Sequence, residues 1–141
     1  MSDTYLIGID FGRERIGVAI SDSEKKIAFP LDVIKREEGS YGLKKLKRLI
    51  EDRKIESFIV GMPYRENGTL DINGSEIFRY VESLKDYFNV DVFTWDERYT
   101  SLIAEKAMLS DDVNRKGRKA VIDKLSAQII LQSYIDSRQS S

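Results

Sequence analysis

Three acidic positions fall where a folded chain could gather them: Asp10, the pair Asp96–Glu97, and Asp123. Asp10 follows the apolar Ile7 and Ile9 in Tyr5–Asp22 (YLIGIDFGRERIGVAISD). That pattern predicts two strands joined by a short turn at Gly12, with Arg13 and Arg15 decorating it. An aspartate inside such a hairpin is expensive to bury unpaired, so a cation should meet it. Asp96 and Glu97 end a predicted strand. Glu97 keeps step with Phe93 and Trp95, Asp96 with Val92 and Thr94, and alternation alone leaves both open. Asp123 precedes Ala127, Ile130 and Tyr134 at helical spacing, which puts an acid on an apolar stripe.

One such acid reads first as the partner of Arg13, Arg15 or Arg98. Three from separated segments, in a chain with no histidine and no cysteine, point instead to a metal held by oxygen. Carboxylates and water select hard cations such as Mg²⁺ or Mn²⁺. Two ions held this way can orient a water and stabilise the leaving oxygen of a phosphodiester. Arg98 could neutralise a phosphate there.

The bulk properties are compatible with this chemistry. A chain of 141 residues with net charge −1 is large enough for one domain with a real core, and it is not a polybasic coat for nucleic acid. We expect a single domain over 1–138 and a polar tail over 139–141. No apolar run approaches a bilayer span and no leader-like start is visible, so no membrane partner is expected. The lack of cysteine suits the cytoplasm. Two basic clusters remain. Lys44, Lys45, Lys47 and Arg48 read as a solvated helix face. Arg115, Lys116, Arg118 and Lys119 flank Gly117 and read as a basic loop suited to a polyanion.

The elements that must position these residues follow in order. After the hairpin, Lys26–Val33 predicts a third strand with Pro30 at an edge or bulge. Ser40 is the expected cap of a helix from Tyr41 to Arg53, with stripe Leu43, Leu46, Leu49 and Ile50. Ser57–Val60 predicts a buried strand, and Tyr64–Gly74 a polar loop. Asn73 and Glu76 suggest a capping box for a helix burying Ile77, Val81, Leu84 and Phe88. Asp91–Trp95 predicts a fifth strand, and Asp96–Ser101 leads into a helix reaching Met108, capped by Thr100 or Ser101. The basic loop ends at Lys119, and a last helix covers Ala120–Ile135. Three antiparallel strands followed by alternating helix and strand imply an α/β fold: a five-stranded mixed sheet flanked by helices, its working edge at the carboxyl ends of the parallel strands.

The segments GIDFGRERIGVAISD, VGMP with its glycine-containing loop, DERYTS and KAVIDKLSAQIILQSYID together resemble the YqgF family of candidate Holliday junction resolvases. The likeness runs through nearly the whole chain, in order. It implies an RNase H-like fold with Asp10, Glu97 and Asp123 as both catalytic and metal-binding trio. It further implies a Mg²⁺-dependent nuclease that matures the 5′ end of precursor 16S rRNA, with branched DNA as the older substrate assignment. The chain departs from better-known resolvases of this fold in two places. Val60–Pro63 carries no acid at the end of the fourth strand, where Glu66 beyond it is the weaker substitute. Ser126 stands where some have a second acid in the last helix.

Arg13, Arg15, Arg98 and the Arg115–Lys119 cluster are the expected nucleic-acid contacts, and Tyr64 and Tyr99 could stack on unpaired bases. An actin-like ATPase, which also opens on such a hairpin, is excluded by size. The rival from another class is an RNA-binding assembly factor without catalysis, which would not need the trio. Junction resolution calls for two active sites and a homodimer, whereas trimming a precursor RNA needs only a monomer.

Overall fold

The computed structural model describes residues 3–64, 74–96 and 115–139, and within the last segment the side chains of 125–138. Five strands form one sheet in the order β3-β2-β1-β4-β5: β1 (Tyr5–Phe11), β2 (Arg15–Ser21), β3 (Ala28–Lys35), β4 (Ile55–Met62) and β5 (Asp91–Asp96). The β1/β2 and β2/β3 pairs are antiparallel; β1/β4 and β4/β5 are parallel. This is the mixed sheet expected from the sequence.

Alternation along the strands sends apolar side chains to both faces. Ile7, Ile9, Ile16, Val18, Phe58, Val60 and Met62 form one layer with helix α1 (Leu43–Ile50) and helix α2 (Gly74–Phe88). Leu6, Ala19, Ala28 and Ile59 form the other with helix α3 (Arg115–Gln139), through Ala127, Ile130, Leu131, Tyr134 and Ile135. A strand buried on both faces needs near-continuous apolar sequence, and β4 meets this requirement. Ala127, Ile130 and Leu131 are fully buried, and Tyr134 nearly so, so the apolar stripe read from the sequence is the face that meets the sheet.

Several boundaries differ from expectation for identifiable reasons. Strand β3 starts at Ala28 because the Asp22 carboxylate accepts hydrogen bonds from the Lys26 and Ile27 N–H groups, committing both residues to a turn. Pro30 sits beside a register shift in this edge strand, as a residue without a donor should. Ser40 does not cap α1. The N-cap is Gly42, in the left-handed region at φ 61°, and it makes no side-chain cap. The Ser40 carbonyl instead accepts from Arg36 Nε.

The largest correction concerns the basic segment. Arg115, Lys116, Arg118 and Lys119 lie in the opening turns of α3, not in a loop. Arginine and lysine are good helix formers, and one glycine costs only about 1 kcal/mol in a helix interior. The stretch looked non-helical because it lacks apolar periodicity and places cations at the positive end of a helix.

The Lys44, Lys45, Lys47 and Arg48 cluster does form an exposed face of α1. Among the described residues no helix is long and apolar enough to cross a membrane. Glu66, the Asn73 half of the capping box, Arg98, Tyr99 and the helix expected to reach Met108 lie outside the described residues.

Candidate functional site

Asp10 is the next-to-last residue of β1 and is partly exposed. Alternation puts it with Leu6 and Gly8 on the face covered by α3, while Ile7, Ile9 and Phe11 point to the other layer. Its cross-strand partner on β2 is Gly17. On the other side, Ile9 pairs with Val60 of β4, so the residue level with Asp10 there is Gly61, which pairs in turn with Trp95 of β5. Glycines therefore stand level with Asp10 on both neighbouring strands.

Helix α3 is seated directly on this face. A Cβ added at Gly8 would lie 2.7 Å from Leu131 Cβ and 2.8 Å from the Ala127 carbonyl oxygen. Gly8 is needed for this close approach, not for its backbone angles. Leu6 and Ile135 line a common cavity, so the helix runs opposite to β1. From Gly8 to Asp10 is a step of about 6.6 Å along the strand. From Ala127 back to Asp123 is one helical turn, about 6 Å. The backbone register thus brings position 123 towards the level of Asp10.

The choice between Asp96 and Glu97 is narrowed by topology. Asp96 pairs with Met62, which is buried in the α1/α2 layer, so Asp96 lies across the sheet from Asp10. Phe93 and Trp95 pack on Tyr134 of α3, on the Asp10 side. Glu97 has their parity but lies outside the described residues, as does Glu66. Among the described residues no three acidic side chains cluster as a metal site.

The two turn arginines separate. Arg15 shares the parity of Gly17 and hence the Asp10 face. Arg13 lines a cavity of about 100 Å³ on the α1/α2 side, with Phe11, Gly12, Arg36, Pro63, Glu76 and Ile77. Gly12 closes the turn between them, since a Cβ there would lie 2.6 Å from the Arg15 carbonyl oxygen. Sequence reasoning missed Arg36 and the two flanking glycines. Isolated glycines inside apolar strands were the available signal for the latter.

A family model for the RuvX Holliday junction resolvases matches residues 4–137. The chain belongs to the RuvX family. A relative from Thermoanaerobacter pseudethanolicus is 40% identical over 136 residues, covering 96% of this chain and 98% of its own. One from Geobacillus is 39% identical over 136 residues, covering 95% and 99%. Both are named as candidate pre-16S rRNA nucleases.

Solved structures with the same fold include Thermus thermophilus RuvC bound to a Holliday junction, with TM-score 0.56, 15% identity and 96% of each chain covered. The fowlpox virus Holliday junction resolvase aligns with TM-score 0.59 and 12% identity, covering 96% of this chain and 99% of its own. The RuvX chain therefore has the RNase H-like fold that its motifs imply.

Proposed function

We propose that this protein is a metal-dependent endonuclease that hydrolyses phosphodiester bonds in the 5′ region of precursor 16S rRNA during ribosome biogenesis. The observation that carries the proposal is Asp10 near the end of β1, on the sheet face against which α3 is seated at Gly8. Family membership and two near-full-length relatives named for this substrate support the same reading.

Asp10, Glu97 and Asp123 are the proposed catalytic trio. With no histidine or cysteine in the chain, their oxygens would hold Mg²⁺ or Mn²⁺, hard cations that take oxygen ligands. When bound, such an ion orients the attacking water and offsets charge on the leaving oxygen. The chain's own part is to fix one carboxylate on a buried strand and another on a helix, and to supply cations for the phosphates. Arg15 shares the Asp10 face, and Arg98, Arg115, Lys116, Arg118 and Lys119 complete the proposed nucleic-acid contacts. Water attacks phosphorus in line, the bond to the leaving sugar oxygen breaks, and that oxygen takes up a proton.

Branched DNA is the second reading, favoured by the description of the matching family. The test incubates the protein with a precursor 16S rRNA fragment and with a four-way DNA junction, with and without Mg²⁺ or Mn²⁺, beside Asp10→Asn. Metal-dependent cutting of the RNA, abolished by the substitution while binding persists, is the expected result. Cutting of the junction alone selects the second reading, and mass in solution then distinguishes the monomer from the homodimer that a junction requires. Binding of RNA without cleavage, unaltered by Asp10→Asn, overturns the enzyme in favour of an assembly factor.

A further inference from the structure

Arg36, just past the end of β3, is nearly buried, with its side chain 4% exposed. A guanidinium carries five N–H donors. Here five acceptors meet them: Nε donates to the Ser40 carbonyl at 2.8 Å, Nη1 to the Gly12 and Arg13 carbonyls at 2.9 and 3.0 Å, and Nη2 to the Gly39 carbonyl at 2.9 Å and Glu76 Oε1 at 2.6 Å. Its Cζ lies 4.5 Å from the centre of the Phe11 ring and 5.6 Å from that of Tyr41. Its own N–H donates to the Glu14 carbonyl at 2.8 Å. Phe11, Gly12, Arg13 and Glu14, the four residues that follow Asp10, thus all touch one residue.

This arginine has no donor left for a phosphate. We infer that Arg36 is a positioning residue for the Asp10 carboxylate, clamping the β1–β2 turn from the opposite side of the sheet. The inference rests on the nuclease reading above. A carboxylate near the end of a strand is only as well placed as the turn that follows it. Gly12 carries no side chain, and Arg13 and Glu14, the other two residues of this turn, are exposed. The Glu76 carboxylate, about one-third exposed, balances the buried charge and ties the clamp to the first turn of α2. Lysine cannot replace the fork, because an ammonium presents three donors from one point and cannot span five acceptors.

The experiment compares wild type, Arg36→Lys and Glu76→Gln. Mn²⁺ affinity is measured by calorimetry on the protein without substrate, and kcat and KM on a precursor rRNA fragment, all well below each unfolding midpoint. For folded Arg36→Lys the expected result is a kcat lowered on the order of tenfold, KM within about twofold, and Mn²⁺ affinity weakened several-fold. Glu76→Gln moves the same quantities in the same direction by less. A folded Arg36→Lys with wild-type kcat and Mn²⁺ affinity overturns the proposal. So does a loss confined to KM, which would place the arginine on the substrate. If Arg36→Lys does not fold, unchanged values in Glu76→Gln overturn it and shifted values support it. Wild type that neither binds Mn²⁺ nor cuts RNA removes the nuclease reading itself, and this proposal with it, before any variant is compared.

Discussion

Replacing Gly8 by alanine is the sharpest available perturbation of the sheet–helix seat beneath Asp10. The added methyl would sit 2.7 Å from Leu131 Cβ and 2.8 Å from the Ala127 carbonyl oxygen. Carbon atoms in contact rest at about 3.5–4.0 Å, so the gap falls short by about 1 Å. Neither neighbour can rotate away, because one is backbone and the other is bonded directly to it. Relief therefore requires α3 to lift or slide, and Ala127, Ile130 and Leu131, all fully buried, move with it. Overpacking of this kind costs about 1–3 kcal/mol. The reduced freedom of alanine in the unfolded chain offsets about 0.4–1 kcal/mol of that.

A net loss of about 1–2 kcal/mol should appear in urea unfolding as a lower midpoint with an unchanged slope. In thermal unfolding it corresponds to a drop of about 3–8 °C. On the nuclease reading, a lift of about 1 Å between Asp10 and Asp123 also reduces cleavage on the order of 10²-fold, far more than the unfolded fraction explains. A variant with a midpoint equal to wild type and full cleavage would refute the claim that the helix is seated against this strand.

Three further outcomes are expected. The Tyr80 hydroxyl is fully buried with no hydrogen-bond partner among the described residues, so Tyr80→Phe should leave stability at neutral pH unchanged or raised by up to about 1 kcal/mol. Burial pushes the Tyr80 phenol well above its ordinary value of 10.0, with Arg36 opposing weakly. Its ionisation therefore leaves stability unaffected below pH 10 and lowers it as pH rises beyond that value, a slope that Tyr80→Phe reduces in alkaline unfolding curves. The Ile27 and Lys26 N–H groups hold the Asp22 carboxyl below its ordinary 3.8. Asp22→Ala should cost at most about 1 kcal/mol at neutral pH, and the gap from wild type should close as pH falls below 3.8 and through the lowered value, measured by urea unfolding across that range. Changing Arg115, Lys116, Arg118 and Lys119 together to alanine should weaken RNA binding and flatten its salt dependence by about 0.7–0.9 for each phosphate no longer neutralised. A slope equal to wild type would remove that segment from the interface.

Residues legible from the sequence were those whose role depends on local pattern. Asp10 announced itself as a charge inside an apolar hairpin. Ala127, Ile130 and Tyr134 announced the buried face of α3 by their spacing. The strand directions followed from short turns early in the chain and helical crossovers later. These are properties of a few neighbouring residues, and backbone stereochemistry turns them into structure without reference to the rest of the molecule.

What tertiary structure alone decided is which faces meet. Period-2 alternation left both Asp96 and Glu97 open, and only the pairing with Met62 put Asp96 across the sheet from Asp10. The role of Gly8 shows only in the close approach of α3, whose Ala127 and Leu131 leave no room there for a Cβ. Nothing in the local sequence marks Arg36, since its five acceptors come from segments as far apart as Gly12 and Glu76. Such assignments depend on long-range register, which a chain acquires only when whole elements pack, so no window of neighbouring residues can contain them.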